Sequence, residues 1–212
     1  MDPSSGLSHE KLPPVAVLHP PPGDFAAYIF DCDGTLAATM RVHYQSWAKA
    51  IRAQNADFVL DWPVFCSMGG MSTHDTLAAL KRRFSLVLDE EQLRASIDAT
   101  LAGDALDNAE PCEDVLELAR KAIADGLKVA VASGGQRRYV QRTLRAIHAE
   151  TLFPVVVTGD DVLRMKPAPD LFLLAAEKLG VKPASCLVIE DSPRGREAAE
   201  AAGMACLLVE PR

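Results

Sequence analysis

Four short stretches of this sequence carry side chains that could do chemistry together. Asp31-Cys32-Asp33-Gly34-Thr35 sets two carboxylates one residue apart with a glycine behind them. Ser133-Gly134-Gly135 offers a hydroxyl beside two residues without side chains, Lys166-Pro167 a cation, and Glu190-Asp191 a second acidic pair. Each lies at or beyond the end of a short apolar run, and in an open parallel sheet ligands bind outside the carboxyl ends of the strands. All four are therefore expected at one edge of one sheet. Four carboxylates and one lysine gathered there repel one another unless a cation joins them. Oxygen ligands without Cys or His select a hard ion, and Mg2+ is the obvious one. Taken alone, Asp31 to Gly34 reads equally well as a strand-end turn. It is the company of the other three stretches that favours a site.

The elements that must position these groups are legible as alternation. Residues 26–30, 128–132, 154–158, 186–190 and 205–209 are short and aliphatic, as strands buried on both faces should be. Between the later runs lie helical stretches at 113–125, 136–148, 169–179 and 193–202. Two of them begin with proline, and three stop at Gly126, Gly180 and Gly203. Strand and helix in alternation mean βαβ units and a parallel sheet with right-handed crossovers, a Rossmann-like α/β core. Residues 39–108 break the pattern. Met40, Tyr44, Trp47 and Ile51 recur at helical spacing, as do Leu77, Leu80 and Phe84, then Leu93, Ile97 and Leu101. A helical insert is expected there, entered through residues 37–39 and left through 108–111, with the core formed by 25–38 and 109–212. Residues 1–24, rich in Pro, Ser and Gly, are expected to be a mobile arm.

Composition narrows the function classes. In 212 residues, 22 Lys and Arg stand against 29 Asp and Glu, a net charge of −7. That argues against a nucleic-acid or anionic-membrane surface, while leaving room for a small phosphorylated substrate in a local positive pocket. No apolar run approaches a membrane span, and the N-terminus lacks the pattern of a secretory signal. The five cysteines are scattered and never CxxC, and the five histidines lack metal-ligand spacing. These features exclude a zinc site and a disulfide scaffold, and imply a cytoplasmic protein.

Asp-x-Asp-Gly-Thr, a serine after the second strand, a lysine before the next helix and an acidic pair after the fourth strand together resemble the haloacid dehalogenase superfamily, over about residues 26–212. The stretches 166–172 (KPAPDLF) and 189–195 (IEDSPRG) resemble its β-phosphoglucomutase-like, sugar-phosphate phosphatase subgroup. The resemblance implies a strand order 5-4-1-2-3 and a helical cap over the site. It also implies that Asp31, Glu190, Asp191 and the main-chain carbonyl of Asp33 bind Mg2+. The residue types suit phosphoryl transfer. Asp31 can attack phosphorus, giving an aspartyl-phosphate, and Asp33 can protonate the leaving oxygen and then activate water. Ser133 and nearby amides can hold the transferring oxygens, Lys166 offsets their charge, and Gly34 and Gly134 let the backbone approach. Ser133 to Gln136 also reads as a capping box. Asp170 reads as a dipole partner in a helix first turn, and Arg137 and Arg138 as an exposed face.

The insert is less specific. His43 and Trp47 lie one turn apart and match positions near the acid in the resembled mutase, although a packed tryptophan and a rim histidine explain them as well. Residues 68–75 resemble the substrate loop, with Gly70, Ser72 and Thr73 facing substrate, while Ser72 with Asp75 also fits a helix cap. The known mutase carries an arginine where this sequence has Thr73, and Thr73 resembles fructose-1-phosphate phosphatase-type members. Ala38 stands where many relatives carry Asp beside the hinge. Relatives with dehalogenase or phosphonatase chemistry lack a carboxylate at the position of Asp33. The expected function is thus a Mg2+-dependent phosphatase for a small phosphate ester, a monomer or weak dimer. A β-phosphoglucomutase-type mutase is the alternative, and a non-catalytic sugar-phosphate-binding protein the third.

Overall fold

The computed structural model describes residues 17–212. Most of the N-terminal arm, residues 1–16, lies outside them. Residues 17–24 form neither helix nor strand, and Leu18 packs against the core.

Five parallel strands, β1 (Ala27–Phe30), β2 (Lys128–Ala132), β3 (Val155–Val157), β4 (Cys186–Glu190) and β5 (Ala205–Leu208), form one sheet in the order β3-β2-β1-β4-β5. This is the expected order read from the other edge. The central strand pairs on both sides, Phe30 with Val131 of β2 and with Ile189 of β4. Because both faces are covered, alternate residues enter opposite cores. Phe30 joins Val131 and Ile189 on one face, packed with α5 (Glu113–Ala124) and α6 (Arg137–Ala146). Ile29 joins Ala130 and Val188 on the other, with α7 (Asp170–Leu179) and α8 (Pro193–Ala201). Each fully buried aliphatic or aromatic side chain of this kind contributes roughly 1.5–3 kcal/mol.

Between β1 and α5 lie α1 (Met40–Gln54), α2 (Trp62–Cys66), α3 (Thr73–Phe84) and α4 (Glu90–Ala102). They enclose their own apolar cluster, built on Trp47, Ile51, Leu77, Leu80, Leu93 and Leu106. The two connecting strips run side by side, the amide of Ala38 donating to the carbonyl of Glu110 and Ala37 bridging to Pro111. Helix α2 has no counterpart in the sequence reading, since five residues are too short to show a period. No helix among the described residues is long and apolar enough to cross a membrane.

Candidate active site

Sheet order alone brings the polar stretches together. Asp31 follows β1, its amide donating to the carbonyl of Ile189; Ser133 follows β2, its amide donating to Val157; Glu190 ends β4 and Asp191 follows. Since β1 lies between β2 and β4, these groups converge at the carboxyl edge. Carboxylate oxygens of Asp31, Glu190 and Asp191 lie within 4.8 Å of one another, and all three residues are buried. Lys166, also buried, reaches them from the loop before α7. Its Nζ donates to Asp31 Oδ1 at 2.5 Å and to Glu190 Oε1 at 2.6 Å.

One cation does not neutralise three carboxylates. Burial, and then the charges of its acidic neighbours, hold the Asp191 carboxyl far above its usual range. The Asp31 carboxyl is also raised, by burial first, although Lys166 opposes the shift. Burial works against the charged Lys166; the charges of Asp31 and Glu190 outweigh it and raise the ammonium. Removing the repulsion takes added positive charge. Three oxygen donors with no sulfur or nitrogen fit a hard divalent cation. The acidic cluster could therefore hold such an ion.

Two glycines make the cluster possible. Gly34 has φ +88°, and a Cβ there would stand 2.3 Å from Asp191 Oδ2. At Gly195 a Cβ would fall 1.9 Å from the Glu190 carboxyl group. That carboxylate instead accepts from the amide and hydroxyl of Ser192, at 2.6 and 2.8 Å.

Asp33 occupies a different environment. Its Oδ1 accepts from Thr39 Oγ1 at 2.7 Å and lies 3.0 Å from His43 Nε2. Burial works against ionising Asp33, but the imidazole and the two hydrogen bonds outweigh it and lower its pKa. Burial likewise works against charging His43, and Asp33 outweighs it, raising the imidazole. Thr39 escaped the sequence reading, which treated it only as linker. The available signal was its place one helical turn before His43, on the same face. Thr39 makes no side-chain cap to α1, its backbone being already helical at φ −102° and ψ −7°. The first amide of that helix, from Met40, donates to the main-chain oxygen of Arg212.

The remaining expected residues separate. Ser133 Oγ accepts from the amide of Gly135 at 3.0 Å, and a Cβ on Gly135 would stand 3.5 Å from Asp33 Oδ2. Ser133 is not a helix cap, because α6 starts only at Arg137 and Gln136 is its N-cap residue. Gly134 lies in the same loop, under Met165 Cε. Gly70 reaches the site region, a Cβ there standing 3.4 Å from Ser192 Oγ and 3.5 Å from Lys166 Cβ. Trp47 is packed in the insert's apolar cluster. Ser72 caps α3, accepting from the Asp75 amide and donating to the Asp75 carboxylate. Thr73 is the half-buried first residue of α3, and the exposed His74 pairs with Glu90. Asp170 opens α7 and is forked by Arg164. Arg138 is exposed and Arg137 half-buried, and from there they pair with Asp98 and with Asp161.

Carboxylates gathered at the carboxyl edge of a parallel five-stranded sheet, with a helical insert after the first strand, define the haloacid dehalogenase-type α/β fold. The chain belongs to the haloacid dehalogenase-like hydrolase family, which matches residues 25–203. The fructose-1-phosphate phosphatase YqaB of Escherichia coli is 31% identical over 182 residues, 85% of this chain and 94% of that one. Protein CbbY of Rhodobacter capsulatus is 31% identical over 195 residues, 87% of this chain and 85% of that one. Among solved structures, CbbY from Rhodobacter sphaeroides in complex with phosphate matches with a TM-score of 0.75. Its identity is 26%, over 89% of this chain and 87% of that one.

Proposed function

We propose that this protein is a Mg2+-dependent phosphatase that hydrolyses a small sugar phosphate through an aspartyl-phosphate on Asp31. The observation that carries the reading is the contrast between two carboxylates one residue apart. Asp31 faces Lys166 and the acidic cluster, whereas Asp33 is held away from them by Thr39 and His43. Two environments for two carboxylates give two roles, nucleophile and acid–base. The names of the relatives support a phosphate ester, and a relative solved in complex with phosphate supports a phosphate ligand.

In this reading Asp31, Glu190, Asp191 and the main chain of Asp33 hold Mg2+, which when bound shields the phosphoryl charge. Asp31 attacks phosphorus, and the ester bond breaks as the proton shared by His43 and Asp33 passes through Asp33 to the leaving oxygen. Asp33 then takes a proton from water, which attacks the aspartyl-phosphate and frees Asp31. Ser133, the amides near Gly34 and Gly134, and Lys166 hold the phosphoryl oxygens. Helices α1–α4 act as a cap, with residues 68–73 toward the sugar.

A screen for phosphate release from sugar phosphates tests this, with Mg2+ and with EDTA. Turnover is expected only with Mg2+, and activity unchanged by EDTA contradicts the mechanism. Position 73 offers a hydroxyl where a mutase needs a guanidinium to grip a second phosphate. With β-glucose-1-phosphate and a trace of glucose-1,6-bisphosphate, free phosphate should therefore form faster than glucose-6-phosphate. The reverse makes the protein a mutase.

The Asp33–His43 pair also sets a pH dependence. With Asp33 lowered and His43 raised, a proton shared by the pair sits by preference on the imidazole, from which Asp33 draws it for the leaving oxygen. That proton is lost as pH rises through the raised His43 value, so kcat/KM for a sugar phosphate should fall on the alkaline side. In His43→Ala the carboxyl titrates alone and the falling limb should move to lower pH. p-Nitrophenyl phosphate, whose leaving group needs little acid help, should barely respond. A limb that stays in place in the variant removes His43 from the proton path.

A further inference from the structure

We infer that helix α6 is the pivot that registers the helical insert over the site, with Arg142 and Tyr139 as positioning residues for Asp33. The inference rests on the phosphatase reading for its catalytic consequence only. Its structural basis is a set of contacts that neither the nucleophile nor the metal cluster uses.

Helix α6 is anchored at one end and grips the insert along its outer face. At its start, the amide of Arg137 donates to Asp160 Oδ2 at 2.8 Å and the guanidinium to Asp161 Oδ2, both in the core. Two residues on, Tyr139 leaves the core altogether. Its ring is buried in the insert's apolar cluster, and its hydroxyl donates to Asp98 Oδ1 of α4 at 3.0 Å. Arg138 pairs with the same carboxylate at 2.9 Å. Arg142 makes the largest contact. Its Nε and Nη2 fork the Asp107 carboxylate beside the second connecting strip, while Nη1 donates to the carbonyls of Leu101 and Ala102 at 3.1 and 3.0 Å.

Those two carbonyls end α4, and a helix end needs partners for its last carbonyls. The usual solution is a left-handed glycine in the next position. Gly103 is extended instead, at φ −67° and ψ −171°, so a residue of the core supplies what the insert lacks. A cation at a helix C-terminus is favoured by the dipole as well.

The consequence runs through two packed helices. Helix α4 lies along α1, and α1 carries Thr39 at its entry and His43 one turn later, both on Asp33. Gly135, just before α6, lies against Asp33 from the other side. Any tilt of the insert about the connecting strips moves His43 relative to Asp33 while leaving Asp31, Lys166 and the acidic cluster in place. A misplacement of 1 Å at such a contact costs up to about 10²-fold in rate.

The test uses the full chain carrying Arg142→Ala, Arg142→Lys or Tyr139→Phe, each also in the His43→Ala background. Turnover of fructose 1-phosphate and of p-nitrophenyl phosphate is measured, with amide hydrogen exchange of α1 and α4 in the absence of substrate. Arg142→Ala should lower kcat for fructose 1-phosphate about tenfold or more and for p-nitrophenyl phosphate less than about twofold. It should cost nothing further once His43 is gone, because both changes then disable one path. Arg142→Lys, which keeps the charge but not the fork, should not restore the rate. Tyr139→Phe should show a smaller loss of the same selectivity. Exchange should rise in α1 and α4 but not in β1 or β4. Equal losses on the two substrates, additivity with His43→Ala, or unchanged exchange would overturn the inference. If the unmodified protein releases no phosphate from any ester, the phosphatase reading has failed. The exchange measurement then decides the pivot by itself.

Discussion

Asp31→Asn leaves a folded protein with no turnover. The amide keeps the shape of the carboxylate and still accepts from Lys166, but it cannot attack phosphorus. With the covalent route closed, phosphate release should fall by at least about 10⁴-fold. The fold should not suffer. Asp31 is one of three crowded carboxylates, so removing its charge relieves part of the repulsion that raises Asp191. Thermal melting without metal should be unchanged or higher, and the rise in Tm on adding Mg2+ should shrink, since one ligand has lost its charge. Asp33→Asn forms the contrast. It should keep the response to Mg2+ and lose about 10²–10⁴-fold, mostly for esters with poor leaving groups. Retained activity in Asp31→Asn, measured beside a melting curve, sinks the nucleophile assignment.

Lys166→Met should have the largest effect on stability. The ammonium is buried and hydrogen-bonded to two carboxylates, and it lies 4.9 Å above the Phe172 ring. Methionine fills much of the same space but leaves Asp31, Glu190 and Asp191 without a compensating charge. Removing one partner of a buried ion pair costs about 3–5 kcal/mol, a large share of the ~5–15 kcal/mol that holds a domain folded. The sign of the pH dependence follows. Carboxyl groups raised in the folded state bind protons more tightly there than in the unfolded chain. The variant should therefore be most stable at acid pH and lose stability as pH rises through the raised values. Saturating Mg2+ should recover much of the loss by binding only the folded form. Urea unfolding of the variant at several pH values, with and without Mg2+, checks both claims. A variant as stable as the parent at neutral pH without metal would show that the cluster carries less charge than its geometry implies. Turnover should be lost in either case, because the lysine would no longer offset phosphoryl charge.

The features readable in the linear order of residues are local or periodic. Aliphatic runs that end abruptly in Asp31 or Glu190 announce buried parallel strands, because a strand covered on both faces has no reason to alternate. Gly126, Gly180 and Gly203 mark helix ends because the backbone there turns to positive φ, where a side chain would be strained. The acidic cluster was legible for the same reason, since strand ends in one parallel sheet share an edge. Ser72 as a helix cap needed only the carboxyl residue three positions on.

Which side chains meet across the chain is settled by packing in three dimensions. Thr39, at the N-cap position of its own helix, makes no side-chain cap and holds Asp33, while the main-chain oxygen of Arg212 accepts from the amide of Met40. His74 faces Glu90 and not the loop beside it. Arg138, exposed as expected, nonetheless joins Tyr139 on Asp98, and Arg142 closes the end of a helix that lies forty residues away. Nothing in the spacing of these residues distinguishes them from solvated surface groups. A period specifies which face of a helix is buried. The partner that covers that face is set by how the helices pack, and packing depends on distances the linear order does not contain.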